Sequence, residues 1–236
     1  MKKRGADLVR FYRMMNELQT LNGGLHRMVT ARPEHPWPRR GVVWFFEKGE
    51  QRNESGPGPR VVRVATHALK PELNSSLWDR LAQDGAGRHS VSPFRTLIGL
   101  GLRDLLGNTE PQGWGRERPS AVAAAAEQPD KHEAALEAAV SLYIGQMPFV
   151  FLAVDDAPGP RSERAFIEKN SIALLSNYAR PPLDAPSASW LGRRCGKEKV
   201  KQSGLWNTQH VDAAYDPSFM DTMKTLMEDM RQAISV

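Results

Sequence analysis

The sequence predicts a mixed α and β protein, and three observations carry that reading. Residues 6–20 and several later stretches place apolar side chains at helical spacing. Two short runs rich in β-branched and aromatic residues, GVVWFF at 41–46 and RVVRVA at 60–65, flank a segment crowded with turn formers. A third apolar run, PFVFLAV at 148–154, ends at Asp155-Asp156 and reads as a central strand.

Taken in order, the first helix covers 6–20, with Leu8, Phe11, Met15 and Leu18 on one side and Gly23-Gly24 as its stop. The segment 32–40 holds three prolines, so it is an extended connector that carries Arg32, Arg39 and Arg40 past Trp37. The two β runs then form an antiparallel hairpin with a long loop. Ser76 and Asp79 have capping-box spacing and start a helix that carries Arg80 and Leu81. A further helix is expected from Phe94 to Leu106, followed by an insertion at 107–131, rich in Gly, Pro and Ala, that is mobile or only locally ordered. His132–Gln146 is helical, with Leu136, Val140, Tyr143 and Ile144 on one side. After the central strand, Ser162 caps a helix that ends before Pro181. An irregular stretch leads to the last helix, begun by Asp216 as N-cap and Pro217 at its first position. The division expected is an N-terminal helix and basic connector (1–40), a central domain (41–217) and a C-terminal helix (216–236).

Composition narrows the function classes. With 236 residues, 40% hydrophobic and 25% charged, the chain is neither a miniprotein nor disordered. Thirty-two Lys+Arg against 27 Asp+Glu give +5, which permits an anionic partner without requiring one. Cys195 is the one cysteine, which excludes an intrachain disulfide and a multi-cysteine zinc site, and a reducing cytoplasm is expected. Asp7, Arg10, Arg13 and Glu17 break any export signal, and the apolar run Met147–Val154 is far shorter than the ~20 residues of a membrane span. Walker A, dinucleotide-binding, zincin and nucleophile-elbow motifs are missing from the sequence.

Four features could carry chemistry. Glu168 shares a helical face with Ala165, Ile172 and Leu175, so its carboxylate must be paired, protonated or metal-bound; a salt bridge to Arg161 or Arg164 is the purely structural account. Arg80, among Leu77, Trp78 and Leu81, is either a snorkelling surface residue or a phosphate ligand. The run 193–201 supplies Arg193, Arg194, Lys197, Lys199 and Lys201 between Trp190 and Trp206; it suits nucleic acid, or is a solvated loop over packed tryptophans. His67 follows a strand and either orients a water or makes a structural hydrogen bond.

The order of these features is itself a signature: a hairpin with Gly41-Val42-Val43 and Arg63-Val64-Ala65, then an arginine on the next helix, then a glutamate on a later one. In that order, and in the stretches GVVWFFEKGEQR, RVVRVATHAL, SSLWDRL, PFRTLIGLGL, FIEKNSIALLSN, SGLWN and HVDAAYDP, the chain resembles the GIY-YIG nuclease superfamily, specifically its larger nuclease-like members. The resemblance implies an α+β fold with a small, mainly antiparallel sheet flanked by helices, and DNA cleavage with one divalent cation, Mg²⁺ or Mn²⁺. It assigns Glu168 as the metal ligand and Arg80 as the group that stabilises charge on the phosphate during in-line attack by water. The chain departs from the pattern at both motif tyrosines, which are Val43 and Arg63, at a motif glycine, which is Ala65, and near Asp84, where a histidine is common. His67, Tyr178 or a metal-bound hydroxide is then the candidate for activating water, and Arg63 a candidate for holding phosphate.

The leading expectation is a metal-dependent DNA endonuclease of the restriction or mobile-element defence kind. Its nucleic-acid contacts are expected at Arg39, Arg40, Arg193, Arg194, Lys197, Lys199, Lys201 and Trp206. The alternative is a catalytically degenerate module that grips nucleic acid or a protein partner, including a second copy of itself. A third reading, an assembly protein docking through the Met-rich last helix, ranks below both.

Overall fold

A computed structural model of the chain describes residues 2–70, 75–107, 113–115, 131–159 and 161–234. The fold is α+β, and its axis is the strand β2 (Gly41–Gln51). On one side β2 pairs antiparallel with β3 (Pro59–Ala65), and on the other with β4 (Pro148–Ala153), which in turn pairs with the two-residue β1 (His26–Arg27). The sheet order is therefore β1-β4-β2-β3. The helices are α1 (Lys2–Leu21), α2 (Leu77–Ala86), α3 (Pro93–Leu105), α4 (Lys131–Gln146), α5 (Glu163–Leu175), α6 (Glu198–Ser203) and α7 (Phe219–Ile234).

Both faces of the sheet are covered, which is why β2 reads as an unbroken apolar run rather than an alternation. Val42, Trp44 and Phe46 point into a core built with Phe11, Met15 and Leu18 of α1, Ile172 and Leu174 of α5, and Met220, Met223 and Met227 of α7. Val43 and Phe45 point the other way, onto Leu77 and Leu81 of α2, Phe94 and Ile98 of α3, and Val140 and Ile144 of α4. The result is a helix–sheet–helix sandwich in which each large buried side chain adds roughly 1.5–3 kcal/mol of hydrophobic stabilisation.

Several expectations met the structure with local changes. The capping box of α2 forms, with Ser76 Oγ accepting from Asp79 N and the Asp79 carboxylate accepting from Ser76 N at 2.7 Å. Ser162 caps α5 as expected. The hairpin strands run further than the apolar pattern suggested, to Gln51 and from Pro59. The reason is that the intervening carboxylates have buried partners: Glu50 takes Arg60 Nε at 2.8 Å, and Glu47 takes the indole N–H of both Trp190 and Trp206 at 3.0 Å. The last helix begins at Phe219 rather than Pro217, because Asp216 Oδ1 accepts from Ser218 N at 2.9 Å and holds 216–218 in a turn. The helix α5 ends at Leu175, where Arg4 of α1 takes the carbonyls of Leu174 and Ser176 at 2.9 and 2.8 Å. Most of the 107–131 insertion lies outside the described residues; within it Trp114 is buried and stacks on His89 at 3.9 Å.

The outer edge of β3 is closed by the segment 205–207. Val64 N donates to Asn207 Oδ1 at 3.0 Å and Asn207 Nδ2 donates back to Val64 O at 2.8 Å, while Trp206 N donates to Val62 O at 2.7 Å. A side-chain amide thus stands in for a neighbouring strand.

Candidate active site

Three elements bring charged groups to one end of β3. The register that pairs Arg63 with Phe45 puts the Arg63 side chain on the α3 face of the sheet, where its guanidinium lies 4.1 Å from the centre of the Phe94 ring. Arg63 Nη1 donates to Trp206 O at 3.4 Å, and Nη2 faces Asp84 Oδ2 at 3.6 Å. The helix α2 delivers Arg80 and Asp84 one turn apart, 3.3 Å from each other, and Ser92 Oγ holds the same Asp84 carboxylate at 2.6 Å. The helix α5 delivers Glu168, whose Oε1 accepts from Thr66 N at 3.2 Å.

The turn after β3 is positioned by groups that sequence reasoning passed over. Thr66 Oγ1 donates to Gly41 O at 2.8 Å, and Gly41 has no room for a side chain, since a Cβ would stand 2.4 Å from Leu152 O. Arg164, fully buried, pairs with Asp156 and donates from Nη1 to His67 O at 2.6 Å. The purely structural account pairs Glu168 with Arg161 or Arg164; Arg164 is spent on Asp156 and the 67–68 carbonyls, and the cations that act on Glu168 are Arg63 and Arg80. Local spacing favoured a helical neighbour, whereas the strand supplies Arg63 from far away in sequence.

The electrostatics follow from this packing. Burial pushes the Glu168 carboxyl up, and Arg63, the Thr66 N–H and Arg80 oppose that rise. Burial lowers Arg63 to about 10, with Asp84 and Glu168 raising it and Arg80 lowering it. Burial lowers His67 to about 4; its hydrogen bond to Arg39 O opposes this, and Arg164, Arg80 and Arg40 add to it. His67 is therefore a neutral imidazole at pH 7. Its Nε2 lies 3.3 Å from Arg39 O, a partner that only accepts, so Nε2 carries the proton and Nδ1 carries the lone pair.

The polar atoms left over are informative. Arg63 Nε, Arg80 Nε and His67 Nδ1 are all buried with no hydrogen-bond partner among the described residues. Glu168 Oε2 likewise accepts no hydrogen bond among the described residues. The Nε–H groups of Arg63 and Arg80 thus lack an acceptor, and one oxygen of Glu168 lacks a donor, among the described residues.

The remaining expected residues sit elsewhere or act differently. Arg39 contributes its carbonyl, which accepts from Leu77 N at 3.0 Å, and Arg40 donates to Asp156 O at 2.6 Å. In the 193–201 cluster Arg193 donates to Ser187 O and Pro186 O, Arg194 pairs with Asp104 at 3.2 Å, and Lys199 pairs with Asp212 at 2.9 Å. Lys197 and Lys201 are exposed. Trp206 is a correction: it is fully buried, with its indole N–H on Glu47, so its ring is not presented to a base. Tyr178 packs against the opposite core from Arg63, and the Cys195 thiol is buried and pushed up in pKa by that burial.

A second charged cluster lies behind Asp84. His89, Glu133 and Glu137 each bring one donor atom within 4.8 Å of the others. Its carboxylates already have cations: Arg95 Nη2 meets Glu137 Oε2 at 2.5 Å and Arg88 faces Glu133 at 3.4 Å. Arg95 also donates to Asp84 O and Gly85 O, both at 3.1 Å, so this network fastens the end of α2 to α4.

Fold and site together define an α+β domain with a charged centre built from a strand arginine, a helical arginine and a carboxylate on a third element. Compared with models of known families, residues 2–233 match the GIY-YIG domain, and the chain belongs to that family. Membership brings a nuclease-type function at the level of the family. No curated protein and no solved structure matches the chain. No helix among the described residues is long and apolar enough to cross a membrane.

Proposed function

We propose that this protein is a divalent-cation-dependent endonuclease that hydrolyses DNA phosphodiester bonds. The observation that supports the reading most is the pair of unpartnered, buried Nε–H groups of Arg63 and Arg80 beside the open oxygen of Glu168. A phosphodiester supplies what they lack, two non-bridging oxygens in the plane of a guanidinium. Glu168 suits Mg²⁺ or Mn²⁺, since such ions are commonly held by one or two carboxylates together with substrate phosphate. The cation would supply Lewis-acid polarisation of the phosphate and a more acidic water.

The protein's own groups divide the remaining work. Arg63 and Arg80 neutralise the charge that gathers on the equatorial oxygens as water attacks in line. His67 Nδ1, the free lone pair of a neutral ring, accepts the proton released by the attacking water. The leaving oxygen takes its proton from solvent. A base with a pKa of about 4 is weak but always in its basic form at neutral pH. The basic residues Arg39, Arg40, Arg193, Arg194, Lys197, Lys199 and Lys201 would add sequence-independent attraction to the DNA backbone.

Two observations favour the second reading, a binding module without catalysis. Val43 is 1% exposed and cannot replace a tyrosine that activates water, and Asp84 engages both arginines. Purified protein incubated with duplex and single-stranded DNA, with and without Mg²⁺ or Mn²⁺, separates the two. Cleavage that needs the cation and is lost in Glu168→Ala supports the nuclease. Cleavage that survives Glu168→Ala overturns the role of Glu168, and salt-sensitive binding without cleavage establishes the second reading.

A further inference from the structure

We propose that Arg164 is a positioning residue for hydrolysis: it fixes the turn after β3 so that the His67 imidazole is held in one place relative to the Glu168 carboxylate. The inference rests on the reading of His67 as the acceptor of the attacking water's proton, and it adds the residue through which that ring is held.

Arg164 and Glu168 stand one turn apart on α5, so their side chains leave the same side of the helix. Between them they take three successive backbone groups of the turn. Glu168 Oε1 accepts from Thr66 N at 3.2 Å, Arg164 Nη1 donates to His67 O at 2.6 Å, and Arg164 Nη2 reaches Ala68 O at 3.5 Å. The chain does not adopt this turn freely. Ala68 has φ +48°, in the left-handed region that a residue with a Cβ avoids. Such a conformation persists where its surroundings over-determine it, and the carbonyls on either side of that torsion are the two that Arg164 holds. Thr66 is tied down separately, by its hydroxyl on Gly41 O at 2.8 Å, so loss of Arg164 frees residues 67 and 68 before it disturbs the contact to Glu168.

Arg164 is itself fixed. It is fully buried, its Nε donates to Asp156 Oδ1, its backbone N–H lies 3.4 Å from Asp156 Oδ2, and its guanidinium leaves no buried nitrogen unpartnered. Asp156 is anchored in turn, by Arg40 Nη1 on its carbonyl at 2.6 Å and by a side-chain hydrogen bond from Ser162. A guanidinium can serve a carboxylate through Nε and two carbonyls through its Nη arms, which the point charge of a lysine cannot reproduce. The imidazole has a second, independent anchor, Nε2 on Arg39 O at 3.3 Å. Backbone and ring of His67 are thus fastened by different elements, and Nδ1 is the ring nitrogen left without a partner among the described residues.

The test uses the full chain in four forms: parent, Arg164→Lys, His67→Ala and the double variant, each followed through thermal unfolding. Lysine keeps the positive charge beside Asp156 and removes the fork. With cation and DNA, Arg164→Lys should lower kcat about ten- to a hundred-fold at unchanged KM, since a displaced base slows the chemical step and leaves substrate binding alone. In the His67→Ala background the same change should cost less than about two-fold, because the group it positions is gone. A second readout needs neither cation nor activity. The ring-nitrogen NMR shifts of His67, identified by their loss in His67→Ala, should report one tautomer with the proton on Nε2 in the parent and a mixture in Arg164→Lys. Losses that multiply in the double variant, a kcat indifferent to His67→Ala, or ring shifts that are the same in parent and Arg164→Lys each overturn the proposal and leave a metal-dependent nuclease standing. A parent that cleaves no DNA overturns the nuclease reading and this one with it. Should Arg164→Lys not fold, Asp156→Asn, which loosens Arg164 from its carboxylate, goes through the same cycle and the same spectra with the same outcomes.

Discussion

Asp84 stands one helical turn beyond Arg80 and meets its guanidinium at 3.3 Å, while Arg63 approaches the same carboxylate from strand β3 at 3.6 Å. Both separations are longer than the ~2.7–2.9 Å of a strong charge-assisted hydrogen bond. Asp84 is itself held from behind by Ser92 Oγ and, through its backbone carbonyl, by Arg95. It keeps two cations side by side without engaging either of them fully. On the proposed function, a phosphate with freely placed oxygens would be the better partner.

Asp84→Asn should therefore bind DNA more tightly, by about three- to ten-fold at low salt, because one competing negative charge is removed. The same change should lower stability by about 1–3 kcal/mol, since Arg63 loses the charge that offsets its burial. Fluorescence anisotropy against salt and chemical denaturation measure the two effects. Weaker binding in a folded Asp84→Asn protein would show that Asp84 organises the arginines and does not compete for them.

Val43→Tyr restores a tyrosine where the family motif has one, yet it should not raise activity. Val43 is packed between Phe45, Phe151 and the helices on that face, so the larger ring overfills the core and costs about 1–3 kcal/mol. Thermal unfolding and a cleavage assay on the same sample decide it. A gain in cleavage without loss of stability would mean that this face opens toward the substrate.

Gly41→Ala tests the backbone contact under the site. Its Cβ would meet Leu152 O at 2.4 Å, and the strand must shift to relieve it. Gly41 O also accepts from Thr66 Oγ1, and Thr66 N holds Glu168, so the shift should reach the carboxylate. Stability should fall by roughly 1–3 kcal/mol, and cation-dependent activity should fall further than the unfolded fraction accounts for. Activity that tracks only the folded fraction would separate Gly41 from the site.

Acid should loosen the hairpin loop through Asp184. Burial raises this carboxyl, but the Ser55 hydroxyl and the backbone N–H groups of Ser55, Glu54 and Asn53 outweigh it and hold the group below the usual aspartate range. A folded pKa below the unfolded one contributes stability that is complete above about pH 4 and is lost as pH falls through the folded value. Asp184→Asn should cost about 1–3 kcal/mol at neutral pH and flatten the acid limb of stability against pH. An unaltered acid limb would place the acid sensitivity elsewhere.

Much of the fold was legible because its signals are local. The Ser76–Asp79 capping box, the Ser162 cap and the apolar faces of α1, α3, α4 and α7 depend on neighbours within a turn. What escaped depends on residues far apart in sequence. The pattern could not show that Glu47 and Glu50 continue β2, because their partners Trp190, Trp206 and Arg60 arrive from other segments. A tryptophan beside lysines reads alike whether it is a stacking surface or a core residue, so the burial of Trp206 could not be told from its neighbours in sequence. Resemblance to the family marked Glu168 and Arg80, and the Arg80–Asp84 pair stood in the sequence at i,i+4 spacing. The approach of Arg63 to the same carboxylate needed the strand register.

The Asn207 side chain that completes the edge of β3 also bears on how the molecule behaves at high concentration. Strand edges with free amides and carbonyls recruit further strands and lead to fibrillar assembly. At Val64 both backbone groups are already bonded to one buried amide, so an incoming strand would first have to extract Asn207 and the Trp206 ring behind it. The segment that closes the sheet thereby acts as a guard against self-templating, one contributed by the same SGLWN stretch whose Trp206 carbonyl steadies Arg63.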